Sequence, residues 1–224
     1  GQSGGILGSR YEHLKLCMED DTAFEVLFKV AQRLARAEVP LEICNALRVS
    51  ALTALVKPNQ RIRGIAAGDT FRRLVSKTIA RQFQSELRAA VFPYNVGLCD
   101  RSGTDTAIHA LRYLSDAHPD RVLISIDGVG AFDHICRARM FEQLLANPQL
   151  RSLVPFVKQW YATQSHFKWI DETGVAHDIV QGDGGEQGDA TLIRVAAAPG
   201  RPQAPDRRNV EVGGRPGGAG VHFL

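Results

Sequence analysis

Phe71, Val75, Ile79, Phe83, Leu87 and Val91 recur every four residues. That spacing suits one side of a helix and no strand, whose side chains alternate with period two. Asp69 stands where an N-cap belongs, so one long helix is expected from there to Val91. The residues before it have the opposite character. ALTALVK (51–57) and RIRGIAA (61–67) read as two strands around a Pro58-Asn59 turn. A strand pair feeding an amphipathic helix gives the chain an α/β (α+β) character.

The remaining patterns agree with that class. Residues 11–37 are helical by their apolar spacing, with Asp20 or Asp21 placed to cap a second helix and break the run in two. Pro40 starts a short helix over 41–47. Ser102 or Thr104 caps one running to Ala117. RVLISID (121–127) reads as a buried strand, and Asp133 as the cap of a helix from His134 to Ala146. Pro148 or Gln149 opens another, to about residue 162. HFKWI and VAHDIV flank Asp171-Glu172-Thr173-Gly174 as a hairpin. Composition shifts near residue 191, where six Gly and four Pro fall within 34 residues. The expected organisation is a helical N-terminal region (1–49), a main unit (50–190) and a disordered tail (191–224).

Hydrophobic residues make up 44% and charged residues 23% of the 224, which argues against a wholly disordered, collagen-like or disulfide-scaffold chain. No apolar run approaches the roughly 18 residues of a membrane span, and no signal peptide opens the sequence. The first residue is not Met, which reads as a fragment. Cys17, Cys44, Cys99 and Cys136 form no CxxC pair and read as free thiols in a reducing, intracellular compartment, nuclear or cytoplasmic. The net charge of +3 belongs to the tail, because residues 1–190 are neutral. Within them, 57–88 hold eight basic residues against Asp69 and Glu86, while 89–190 hold eight basic and thirteen acidic. A basic lobe followed by an acidic one suits a protein that holds a polyanion on one side and metal ions on the other. An ordinary solvated helix face accounts for the same charges.

Three stretches carry chemistry. Asp127 ends the apolar run 121–127 and is followed by Gly128 and Gly130, a placement that suits a divalent-metal ligand and equally a turn cap. Gly182-Asp183-Gly184-Gly185-Glu186-Gln187-Gly188-Asp189 lets backbone approach a ligand closely, yet it has neither the Gly-Lys-Ser/Thr ending nor the GxGxxG context of the common phosphate loops. Lys57, Arg61 and Arg63 sit on the first hairpin, with Arg72, Arg73 and Lys77 on the helix after it. They can hold a triphosphate or a nucleic-acid backbone, or be solvated.

Taken in order, Lys57-Pro58, Arg63-Gly64-Ile65, Phe71-Arg72-Arg73-Leu74, Gly103-Thr104-Asp105, Asp127 through Ala131-Phe132-Asp133, and Gln187-Gly188-Asp189 resemble the reverse transcriptase domain of non-LTR retrotransposons. The resemblance covers residues 50–190. It implies a partial right-hand polymerase, with fingers (50–100) and the first part of a palm (101–190) behind a helix-rich N-terminus. The implied reaction is template-directed nucleotidyl transfer, with Mg2+ as cofactor. RNA template, DNA primer and deoxynucleoside triphosphates are the implied partners. Asp127, helped by the Gly128 carbonyl, would ligate the metal. Phe132 would exclude the ribose 2′-hydroxyl, and Arg63 and Lys57 would hold the triphosphate. Gln187 and Gly188 would position the template, and Arg61, Arg72, Arg73 and Lys77 would face the nucleic acid. Asp133 would stay structural.

The chain also departs from that family. Its second metal element, an aromatic-x-Asp-Asp hairpin, is missing, and Asp206 is the only aspartate after Asp189. The departure begins straight after Gln187-Gly188-Asp189-Ala190, as a frameshift, truncation or altered splice would produce, and Gly64 replaces the usual Pro. The expectation is a reverse transcriptase-like fragment that is inactive as written. The alternatives are a non-catalytic RNA/DNA-binding remnant and a translated pseudogene product.

Overall fold

The computed structural model describes residues 4–58, 60, 62–93, 95–97, 101–124 and 132–196. Helices α1 (Tyr11–Leu16) and α2 (Asp21–Ala35) are separate, and the Asp20 side chain accepts from Ala23 N at 2.7 Å to cap the second. Pro40 opens α3 (Leu41–Arg48). β1 (Ser50–Val56) and β2 (Ile62–Ala67) form the expected antiparallel hairpin. Asp69 then caps α4 (Thr70–Gln82), accepting from Phe71 N and Arg72 N.

The single long helix does not form. α4 ends at Gln82 and α5 (Gln84–Val91) starts after Phe83, whose φ and ψ are −95° and 21°. A strict four-residue repeat exceeds one 3.6-residue turn by ~40° per step, so the stripe winds around a straight helix. The bend re-aims it, and Val75 and Ile79 on α4 join Leu87 and Val91 on α5 in one core.

α6 (Gly103–Ala117) follows, and then α7 (Arg137–Ala146), a short 3-10 turn at Arg151–Leu153, and α8 (Val154–Tyr161). α8 is the axis of the core. Phe156, Val157, Trp160 and Tyr161 are all buried, against Leu34 of α2 and Met140 and Leu144 of α7. Gln159 Nε2 donates to Leu34 O at 2.9 Å, and Arg48 Nε donates to Gln159 O, which ties α2 and α3 to the same helix. Cys17, Cys44 and Cys136 are free thiols. Among the described residues no helix is long and apolar enough to cross a membrane.

β3 (Ser165–Ile170) and β4 (Ala176–Gln181) make the second hairpin. Asp171 Oδ1 organises its turn by accepting from Thr173 N, Val175 N and the Thr173 hydroxyl. β1 pairs in parallel with β3, so the mixed sheet runs β2-β1-β3-β4. Ser50, Ala66, Ser165 and Phe167 are buried and the other ends of the strands are exposed. The sheet therefore meets the helices by one end only.

Two expectations differ from what the described residues show. Residues 121–124 form no strand, and Val122 and Ile124 are largely exposed. An apolar β-branched run becomes a strand only when a neighbouring strand completes its ladder; no described strand lies against this one. Residues 125–131, with Asp127 and Gly128, lie outside the described residues. The expected tail boundary at 191 also moves, because α9 (Ala190–Ala196) is a helix with Leu192 and Val195 fully buried. Spacing of 192 and 195 is i, i+3, one helical face. The Gly and Pro that suggested disorder all fall later, from residue 199 onward, outside the described residues.

Candidate nucleic-acid interface

Arg72 lies one position after Phe71, which is on the Val75/Ile79 side of α4, and belongs to a second buried stripe with Ser76 and Ala80. The two small residues let α9 pack closely, and Thr191 Oγ1 donates to Ser76 O at 3.0 Å. Arg72 is 1% exposed. It does not face a polyanion, and that expectation is corrected. Its Nη1 donates to Glu186 Oε1 at 2.6 Å, and its Nη2 to Asp189 Oδ2 at 3.2 Å and Tyr161 Oη at 3.1 Å. The guanidinium also lies 4.4 Å from the Trp160 ring centroid. Tyr161 Oη donates to Asp189 Oδ2 at 2.8 Å, and Asp189 Oδ1 caps α9 through Thr191 N and Leu192 N.

The electrostatics follow from burial. Desolvation opposes charge on Arg72, but Glu186, Tyr161 and Asp189 outweigh it and hold the guanidinium above its ordinary value. Burial pushes Glu186 up; Arg72 opposes that rise and Asp189 adds to it. Burial likewise pushes the Tyr161 phenol up. Both carboxylates bond Arg72, and Arg137, 5.2 Å from the Tyr161 ring centroid, acts on Glu186 without bonding it. Arg72 is a fixed charge, and Glu186 carries the cost of ionisation.

Arg137, the first residue of α7, holds the other end of the glycine-rich loop. Its Nε donates to Gly184 O at 2.8 Å, Nη1 to Thr163 O at 2.6 Å and Nη2 to Ser165 Oγ at 2.7 Å. Asp183 Oδ1 accepts from Arg137 N at 3.2 Å. This corrects the role given to Asp133. The helix starts at Arg137, four residues after Asp133, too far for that side chain to reach the first-turn amides, and Asp183 does so from across the fold. Gly184 has φ +77°, and a Cβ there would sit 2.6 Å from Asp133 O, so only glycine fits.

The loop is joined to two other motif-bearing stretches. Gly185 N donates to Phe132 O at 2.8 Å and Gly184 N to Ile135 O at 2.7 Å. Gln187 Nε2 donates to Gly64 O of β2 at 3.2 Å. Between loop and sheet lies a pocket of about 300 Å³, floored by Leu52, Gly64, Ala66 and Phe167 and rimmed by Asp133 and Gln187. The loop thus contacts the Phe132 carbonyl through Gly185 and the β2 glycine through Gln187, and Phe132 does not itself line the pocket. Arg63 is next to Gly64 but, by strand alternation, on the other face of the sheet; Lys57 is in the exposed turn after β1. Gly188 faces α4, near Arg73 and Lys77. Arg61, like Asp127 and Gly128, lies outside the described residues.

Glu186 and Asp189 do not fit a magnesium site, because both are already committed to Arg72, and Asp183 accepts from Arg137 N. Among the described residues no group of three or more His, Cys, Asp or Glu is placed to hold a metal ion. Reasoning from sequence missed Arg137, Tyr161, Glu186 and Asp189 as parts of this scaffold. Ser76 and Ala80, four and eight residues beyond Arg72, were the available signal, since small residues in line on a helix mark a close-packed face. No protein-family model matches the chain, and no curated protein matches it.

Proposed function

We propose that this chain is a reverse transcriptase-like fragment whose retained activity is binding nucleic acid, and that it does not catalyse nucleotidyl transfer as written. The observation that carries the reading is the convergence of Phe132, Gln187 and Gly64 through hydrogen bonds of the loop backbone and the Gln187 side chain. These residues are widely separated in sequence, and each belongs to a different stretch of the resemblance. Catalysis is the part set aside. Asp127 is the one carboxylate of the expected metal set in this sequence, and magnesium held by a single carboxylate binds weakly. Neither Glu186 nor Asp189 can supplement it while Arg72 holds both.

The test is primer extension on an RNA template with all four deoxynucleotides and either magnesium or manganese, alongside binding of the same primer–template. Binding without extension is expected. Extension by purified protein that disappears on Asp127→Ala would overturn the proposal of lost catalysis. No binding at low salt would overturn the retained function.

A further inference from the structure

Where Arg72 turns inward, Arg73, Lys77 and Arg81 form a stripe at i, i+4 and i+8 on the outer side of α4. They do not stand on an open convex surface. With Tyr11 of α1, Gly188 of the loop and Ala190 of α9 they line a cleft of about 410 Å³. The Gly188 wall is bare backbone. Its φ is +96°, and a Cβ there would meet nothing within 4 Å, so a ligand can approach the chain closely. Among the described residues no carboxylate lines the cleft. Glu186 and Asp189, the acids beside Gly188 in sequence, are buried on Arg72. The Tyr11 ring centroid lies 5.9 Å from the Arg73 guanidinium.

We propose that this cleft binds the phosphodiester backbone of single-stranded nucleic acid, with Lys77 and Arg81 on the phosphates and Tyr11 offering a face to a base. The proposal rests on the nucleic-acid reading above and gives it a location. Cations one helical turn apart are spaced by ~6 Å along the axis. That makes a linear array, suited to a chain of repeating charges more than to one compact anion. An aromatic ring beside an arginine is the usual platform for a stacked base. The cleft volume falls within the range of roughly 300–1,000 Å³ typical of small-ligand pockets, room for a nucleotide. Lys77 and Arg81 are exposed, and among the described residues no ion pair engages either. Their removal should leave the fold intact.

The experiment is fluorescence anisotropy of a labelled single-stranded RNA of about 12 nucleotides, titrated with the full chain from about 50 to about 200 mM KCl. Lys77→Ala/Arg81→Ala should bind about tenfold or more weakly, with a log–log salt slope shallower by about 1.4, the loss of two single-strand contacts. The control Lys29→Ala/Arg139→Ala removes the same charge from α2 and α7 and should leave the slope where it was. Tyr11→Ala should weaken binding about tenfold at unchanged slope, because stacking releases no counterion. Circular dichroism melting should be the same for the wild type and all three variants. If wild type binds while Lys77→Ala/Arg81→Ala matches the control, the cleft is overturned and the nucleic-acid reading stands. If wild type does not bind at the lowest salt, both fall. Competition by polyglutamate as effective, charge for charge, as by unlabelled RNA would overturn the nucleic-acid assignment in favour of an acidic peptide.

Discussion

Arg72 and Arg73 are adjacent and chemically identical, yet one is a structural charge and the other borders a cleft. A helix turns 100° between neighbours, so side by side in sequence means different faces in space. Burying Arg72 is tolerable only because Glu186 and Asp189 go with it, and the balance between them depends on pH. A carboxyl whose folded-state value is raised, as for Glu186, binds its proton more tightly folded than unfolded. Its ionisation then costs stability as pH rises from about 4 through the raised value, and the cost is absent below. Arg72→Ala leaves both acids buried and facing one another, so it should cost about 3–5 kcal/mol near neutrality. The cost should shrink towards pH 5 as Glu186 takes up its proton. Urea unfolding of both proteins at the two pH values measures this. A cost that does not change with pH would mean the cluster is hydrated, not buried.

The elements divide into those that local chemistry specifies and those that depend on distant partners. Helix α9 is of the second kind. It is short, follows a glycine-rich loop, and is held by the Asp189 cap and by Leu192 and Val195 against the core. Leu192→Ala should therefore cost about 2–5 kcal/mol, as for any fully buried leucine. A midpoint shift in chemical denaturation checks it, and a cost below about 0.5 kcal/mol would place the helix on the surface. The Asp20 and Asp69 caps, the Pro40 start and both hairpins were legible in the sequence, because a cap or a turn acts within three or four residues. What was not legible depends on contact across the fold. The bend at Phe83 exists so that two halves of one stripe reach the same core. The start of α7 is set by a hydrogen bond that Arg137 N donates to Asp183, and the burial of Arg72 needs acids more than a hundred positions away. The hydrogen bonds that tie the loop to Phe132 and to Gly64 likewise had no local signature.

At the scale of the whole molecule, the helical core is well buried but the sheet is attached by one end. Val56 and Ile62 at the outer end of the first hairpin, and Ile170 and Val175 at that of the second, are more than half exposed. β2 and β4 each have one neighbouring strand, so among the described residues both present an unpaired edge. Val180 on β4 is 50% exposed. The α2–α4 packing leaves an apolar groove of about 550 Å³ in which Phe24 and Phe28 stack, with ring centroids 6.3 Å apart, while remaining about half exposed. A net charge of +3 gives little electrostatic repulsion between copies to offset this. Exposed edges and apolar patches favour association. The purified chain should therefore bind a hydrophobic dye under native conditions and scatter increasingly with concentration. Val180→Lys places a charge on the β4 edge without touching the core, and should lower the scattering while leaving the unfolding midpoint within about 0.5 kcal/mol of wild type. Phe24→Ser/Phe28→Ser should lower dye binding and leave the edge-driven scattering in place. A monodisperse wild type that binds no dye would show that these surfaces are covered in solution. Equal effects of the two variants on both readouts would mean that the edge and the groove do not act separately.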